Sequence, residues 1–303
     1  VVKALTGMRV GVIGARTSAF KSVRYDETVL ERHGVEVETY DLTSIMKIYN
    51  SLSDSDGSVL EWRRDLNAAM NCSAAPAGRD LVLAKFGAAV ESVIKTAKLD
   101  AIAIRCWSEL QELLGIAPCS ILGLLNHKGI SAACETDVSN AVAMRALAAA
   151  SGRSAGCLDL NNNYGAEENK CILFHCGPLP EELMEIPGVI EDHKMLSKGK
   201  PEKCSWGLNV GRVRTGEITI CGMRATNGEL AFFSDRAVIT DDPVDGYFFG
   251  VHAVMETPEL QNKLKKIADG GFHHHAIITQ TDVFEALNEA LSKYLGYTHV
   301  DIH

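Results

Sequence analysis

The residue types able to do chemistry gather at the ends of apolar runs. Ala133-Cys134-Glu135-Thr136-Asp137 sets two carboxylates two residues apart where an apolar strand runs into a helix. Asp137 is most simply the helix N-cap, accepting from the free N–H groups of the first turn. Glu135 precedes that cap and follows the strand, so it stands at the strand end that usually faces a site in an α/β sheet. Asp159 ends another apolar run, Ala155-Gly156-Cys157-Leu158, and leads into Asn161-Asn162-Asn163. A loop carboxylate and a ligand are both open readings there. His175 closes Phe174-His175-Cys176-Gly177, and a solitary histidine at a strand end is more often structural than a ligand. His273-His274-His275 is more pointed: it is internal, preceded by Gly270-Gly271-Phe272 and followed by Ala276-Ile277-Ile278. In a strand alternate residues share a face, so at least one of the three points inward. Carboxylates plus imidazole, without paired thiolates, suit a divalent ion of the manganese or magnesium-to-iron type better than structural zinc.

The elements around these residues predict an α/β fold. Met8 to Gly14 reads as a strand, Phe20 to His33 has helical spacing, and Val35 to Tyr40 reads as a second strand. Leu81 to Lys98 is helical and leads into a buried strand, Asp100 to Arg105, so strands and helices alternate as in a doubly wound parallel sheet. Gly11-Val12-Ile13-Gly14-Ala15-Arg16 lacks the G-x-G-x-x-G spacing and reads as a strand-to-loop turn rather than a nucleotide site. Ser51 to Ser58 is a surface connection. After Gly129 a helix over 137–151 gives way to short strands at Cys171 to Phe174, Gly211 to Arg214, Glu217 to Arg224, Leu230 to Thr240 and Phe248 to Val254, with a last helix from Thr281 to Tyr294. The expected division is an α/β Rossmann-like domain over 1–128 and a mixed α+β domain with an antiparallel β-barrel-like core over 129–303.

Composition narrows the function. A chain of 303 residues with 46% hydrophobic residues can bury a sizeable core. Its 30 basic against 39 acidic residues leave a net charge of −9, which repels phosphate backbones and anionic membrane surfaces. Neither a nucleic-acid nor a membrane partner is expected, and no apolar run approaches the roughly 18 residues of a membrane span. Nine cysteines (Cys72, Cys106, Cys119, Cys134, Cys157, Cys171, Cys176, Cys204, Cys221) include no C-x-x-C pair and fit a reduced, cytoplasmic chain. The opening Val1-Val2-Lys3 has neither an initiator Met nor a signal-peptide pattern and reads as the cut start of something longer.

Taken together, Cys106 to Ser120, Gly129 to Met144, Asp159 to Asn162, Phe174 to Gly177 and Gly270 to Ile278 resemble, in order, the successive motifs of the L-fucose and L-arabinose isomerase superfamily of aldose–ketose isomerases. The resemblance spans essentially the whole chain and is closest to shorter fucose-isomerase-like proteins, which carry a further N-terminal domain. It implies Glu135 and Asp159 as catalytic carboxylates that also bind the metal, and His275 as the histidine ligand, with His274 a one-place alternative in the substrate-binding set. His175 matches an extra histidine of the arabinose branch and is assigned to substrate binding, with Asn161 and Asn162. Arg105, Trp107 and Glu109 fall where the preceding strand end approaches substrate. Asp159-Leu160 departs from the more usual aspartate–tryptophan, so ring stacking at that place is not expected. The implied cofactor is a divalent metal, Mn²⁺ first; the implied partners are a small sugar substrate and other copies of the chain, as a trimer or hexamer. The chemistry would be aldose–ketose isomerisation, a proton moving between C2 and C1 through an ene-diol. The alternatives are a non-catalytic sugar-binding or regulatory module and a metal-assisted hydrolase, which a metal analysis combined with an aldose panel separates.

Overall fold

The computed structural model describes residues 1–198, 205–244, 246 and 249–303; Cys204 and Phe248 lie outside the described residues. The first half runs α1 (Val2–Leu5), β1 (Met8–Ile13), α2 (Glu27–Arg32), β2 (Val35–Tyr40), α3 (Leu42–Ser51), α4 (Gly57–Ala69) and α5 (Arg79–Ala97). It continues through β3 (Ala101–Ile104), α6 (Glu109–Leu113), α7 (Cys119–His127), β4 (Ser131–Ala133) and α8 (Val138–Ser151). The four strands form one parallel sheet in the order β2-β1-β3-β4. Such a sheet must be covered on both faces, and the alternation of its side chains shows that it is. Val10, Ala101, Ala103 and Ala133 pack toward α8, whereas Ile13, Ile102, Ile104 and Ala132 pack toward α3, α4, α5 and α7.

The second half contains β5 (Gly156–Tyr164), β6 (Glu167–His175), β7 (Val189–Asp192), β8 (Trp206–Arg212), β9 (Gly216–Thr226), β10 (Glu229–Thr240) and β11 (Val251–Glu256). It ends with α9 (Leu260–Asp269), β12 (His275–Thr279), α10 (Phe284–Asn288), a π-helical turn over Glu289–Tyr294, and β13 (Thr298–His299). These strands form a separate mixed sheet in the order β13-β10-β9-β12-β5-β6-β11-β8-β7. It curls until one end of β10 also pairs with β11 over Val238–Thr240, which makes it barrel-like without a closed barrel. The α/β class with two distinct sheets is therefore as the sequence predicts. The apolar core is continuous between them, because α8 packs Val142 and Met144 among Val10 and Ala133 on one side and Cys221, Met223 and Ile277 on the other.

Several local expectations are corrected. The helical spacing over 20–33 yields helix only at Glu27–Arg32, where Asp26 accepts from the N–H of Thr28 and Val29. The preceding loop is instead held to β3's outgoing segment, with Phe20 against Trp107. The strand expected at 211–214 is the end of β8, and that expected from 248 begins at Val251. The last helix starts at Phe284, whose N–H donates to the Asp282 carboxylate at 3.1 Å. Asp159 does not end its strand. β5 continues through Asn161–Asn163, with a register shift between Leu160 and Asn162 where it pairs with β6.

Candidate metal centre

The cluster is assembled by register. β12 and β5 are antiparallel neighbours with His275 directly opposite Asp159, and cross-strand partners project to the same face. Glu135 arrives from the other sheet, in the loop between β4 and α8, where the Thr136 N–H donates to the Ile104 carbonyl at 3.0 Å. Glu135 and Thr136 both hold left-handed backbone, φ 60° and 58°, a conformation that β-branched Thr rarely adopts. Two such residues in succession are retained only where surrounding structure over-determines them, and they cluster at functional sites.

Around this point four donor atoms meet. His275 Nε2 lies 3.5 Å from Glu135 Oε2 and 3.4 Å from Asp159 Oδ1; His274 Nε2 lies 3.3 and 3.9 Å from the same two oxygens. Ligands held roughly 2.0–2.3 Å from one ion stand about 3–3.6 Å apart, so these separations are of the size a cation requires. Glu135 Oε2, Asp159 Oδ1 and His275 Nε2 are all buried without a hydrogen-bond partner. Buried polar atoms are almost always paired, and three orphans aimed at one another mark a missing partner. The set fits a divalent ion, with Glu135, Asp159, His275 and His274 as the residues that would hold it.

Asp137 fixes which nitrogen of His275 is free. Its Oδ2 lies 2.8 Å from His275 Nδ1, so Nδ1 carries the hydrogen and the Nε2 lone pair faces Glu135 and Asp159. The same carboxylate also accepts from the Asn140 N–H at 3.1 Å and from Asn140 Nδ2 at 2.8 Å, with His273 Nε2 3.4 Å away. Asp137 is thus the N-cap its sequence position predicts and, in addition, the orienting partner of the histidine. The first role hid the second, since a cap signal gives no reason to look for a residue 138 positions away. Burial pushes the Asp137 carboxyl upward, but His273 and His275 outweigh it and hold it far below the usual carboxylate range. Asp159 is shifted the other way: burial raises its carboxyl, only partly opposed by His175, His275 and His274. For His275 burial favours the neutral ring, yet Cys157, Asp137 and Glu135 together hold it well above the ordinary imidazole value. Three buried carboxylates around one imidazole form a site that seeks positive charge.

The remaining sequence candidates divide. His175 is buried and stacks on His275 at 5.3 Å. Its Nδ1 accepts from the Cys176 N–H at 2.8 Å, which leaves the ring hydrogen on Nε2; burial favours the neutral ring, but Asp159, Cys157 and Cys176 shift it well above the ordinary imidazole value. Trp107 lines a small cavity of about 10 Å³, room for about one water, with Glu135 and His175. Arg105 donates to the carbonyls of Trp107 at 2.6 Å and Ala15 at 2.9 Å and ion-pairs with Glu109, so both charged residues brace the loop that carries Trp107. Asn161 and Asn162 are exposed on the extension of β5 and do not join the buried cluster.

No family model matches the chain. It is 25% identical over 300 residues to proteins named sulfoquinovose isomerase from Priestia aryabhattai and from Priestia megaterium, and 24% identical over 302 residues to one from Alkalicoccus urumqiensis. Each similarity covers 95% of this chain and 63% of the relative, so the chain spans just under two thirds of the length of the curated proteins it matches.

Proposed function

We propose that the chain is the metal-binding part of an aldose–ketose isomerase. The observation that carries this reading is the pair of unpartnered buried carboxylate oxygens, Glu135 Oε2 and Asp159 Oδ1, each 3.4–3.5 Å from the unpartnered His275 Nε2. The relatives' names support the reaction class, and sulfoquinovose is the first sugar to test. A divalent ion held by these residues, Mn²⁺ first, would fix the sugar's neighbouring oxygens and draw off the negative charge that develops on them. Glu135 and Asp159 then stand as base and acid for moving the proton between C2 and C1, a contribution typically of about 10²- to 10⁴-fold. Asp137 keeps His275 in the required tautomer. The His175 N–H is a donor available to a substrate hydroxyl, and Trp107 closes one wall. Arg105, Glu109, Asn161 and Asn162 complete the proposed substrate surroundings, the first two through the loop they brace.

The same proposal includes two folding units divided near residue 128, a homo-oligomer and a cytoplasmic location; among the described residues no helix is long and apolar enough to cross a membrane. The deciding experiment loads the natural full-length protein with Mn²⁺ and offers an aldose panel that includes sulfoquinovose. Bound metal with ketose product supports the proposal. Metal without isomerisation points to hydrolysis, and neither points to a binding module.

A further inference from the structure

A larger cavity lies at the opposite end of the elements that build the metal cluster. Its volume is about 410 Å³, within the range of small-molecule sites, and it is bounded by the end of α7, the first residue of β4, the last turns of α8 and the segment leading into β5. Ser131 opens β4 there, whereas Glu135 lies beyond the other end of that strand. Arg145 stands on α8 about 12 Å from its N-cap Asp137, at 1.5 Å per residue. The two sites share elements but no residue. Three cations, Lys128, Arg145 and Arg153, line the cavity. Lys128 is matched by Asp65 at 2.7 Å and Arg153 by Glu182 at 2.6 Å, and Glu182 also accepts from the Ser154 N–H at 3.1 Å. Arg145 is matched by nothing: among the described residues its guanidinium makes no ion pair, and its buried Nε has no hydrogen-bond acceptor. The helix dipole does not account for it. The carbonyl end of a helix attracts cations across its last turn, but Arg145 precedes the last turn of α8, which ends at Ser151, and helical side chains lean toward the N-terminus.

We propose that this cavity is a second binding site, for a small molecule that carries a phosphate or sulfonate group, with Arg145 as its anchor. A guanidinium offers parallel N–H donors to a tetrahedral oxyanion, a pairing that gives the unmet donor its acceptor. The three cations exceed the two carboxylates that pair with them by one, and that excess sets the sign of the ligand. Ser131 and Ser154, on the same lining, supply hydroxyls for its uncharged part. Gly152, in left-handed backbone at φ 67°, turns the chain out of α8 and has nothing within 4 Å of where a Cβ would stand, so that part of the lining is open. The metal cluster, with its buried carboxylates, repels anions when no metal is bound, so charge separates the two sites.

The test uses the metal-free full chain and needs no isomerase activity, so it stands or falls apart from the function proposed above. Inorganic phosphate is titrated by calorimetry at neutral pH and constant ionic strength. The expected result is saturable binding that weakens about 10-fold or more in Arg145→Met, which keeps the aliphatic stem and removes the donors. Lys293→Met, which deletes an exposed cation outside the cavity, should bind as the wild type does. Methyl phosphate and methanesulfonate then tell the two ligand types apart by which binds more tightly. In the wild-type chain phosphate should also slow the modification of Arg145 by phenylglyoxal relative to exposed Arg64, read by peptide mass mapping. That measurement decides the question even if Arg145→Met does not fold. The proposal is overturned if phosphate does not bind or if Arg145→Met binds it as well as the wild type. It is equally overturned if Arg145 is protected without phosphate in an oligomer, which would make a carboxylate of a second copy its partner.

Discussion

Two buried polar clusters sit on the curled sheet, and they are built on opposite principles. At one, Asp235 of β10 meets Lys263 of α9 and Thr257: Lys263 Nζ donates to Asp235 Oδ2 at 2.6 Å and to Thr257 Oγ1 at 2.8 Å, and Thr257 Oγ1 donates to Asp235 Oδ2 at 3.0 Å. The other carboxylate oxygen accepts from the Arg236 N–H at 2.8 Å. Charge and hydrogen bonds close within the chain. At the Glu135–Asp159–His275 cluster charge does not close, and three buried atoms face one another without partners. Burial alone therefore does not mark a functional site; burial with an unbalanced donor set does.

The contrast is broken or sharpened by five measurements. Replacing Glu135 with Gln keeps shape while removing a charge and a base. Turnover of the full-length protein should fall by roughly 10²- to 10⁴-fold, while the metal-free protein keeps or slightly gains thermal stability because repulsion with Asp159 is relieved. If Glu135→Gln unfolded the metal-free protein, the cluster would be structural like the other one. Lys263→Ala should do the reverse, lowering stability by about 3–5 kcal/mol in denaturant titrations by stranding buried Asp235, with Mn²⁺ affinity per folded molecule unchanged. Adding Mn²⁺ at about a hundredfold over its Kd should stabilise the native chain by about 2.7 kcal/mol, seen as a raised Tm that a chelator reverses, and should leave Glu135→Gln almost unmoved.

Asp137→Asn separates that residue's two roles. Asn still caps α8 but no longer pairs its charge with His273 and His275, so the metal-free protein should lose stability, and Mn²⁺ affinity per folded molecule by calorimetry should fall roughly 10- to 100-fold. An unchanged affinity would reduce Asp137 to a cap. The smallest effect is expected at Asn161→Ala, an exposed strand position, where stability should move by about 0.5 kcal/mol or less. A raised KM there, with kcat intact, would support the proposed place of the exposed asparagines beside the substrate, and an unchanged KM would remove them from it.

The strand-and-helix alternation, the apolar faces and the turn residues were legible in the sequence because they depend on neighbours within a few positions. The composition likewise carried the net charge and the absence of a long apolar span, which are sums over the chain. Glu135 and His275 were legible as candidates because each stands at a strand boundary beside punctuating residues. The helical spacing over 20–33 misled for the complementary reason: the loop before Asp26 is fixed by contacts with Trp107, far along the chain. Only tertiary structure decided that Asp159 is mid-strand opposite His275 and that Asp137 serves β12 as well as its own helix. Both facts join residues more than a hundred positions apart. Local propensity contains no term for which strand a residue will face, whereas sheet register and packing supply one.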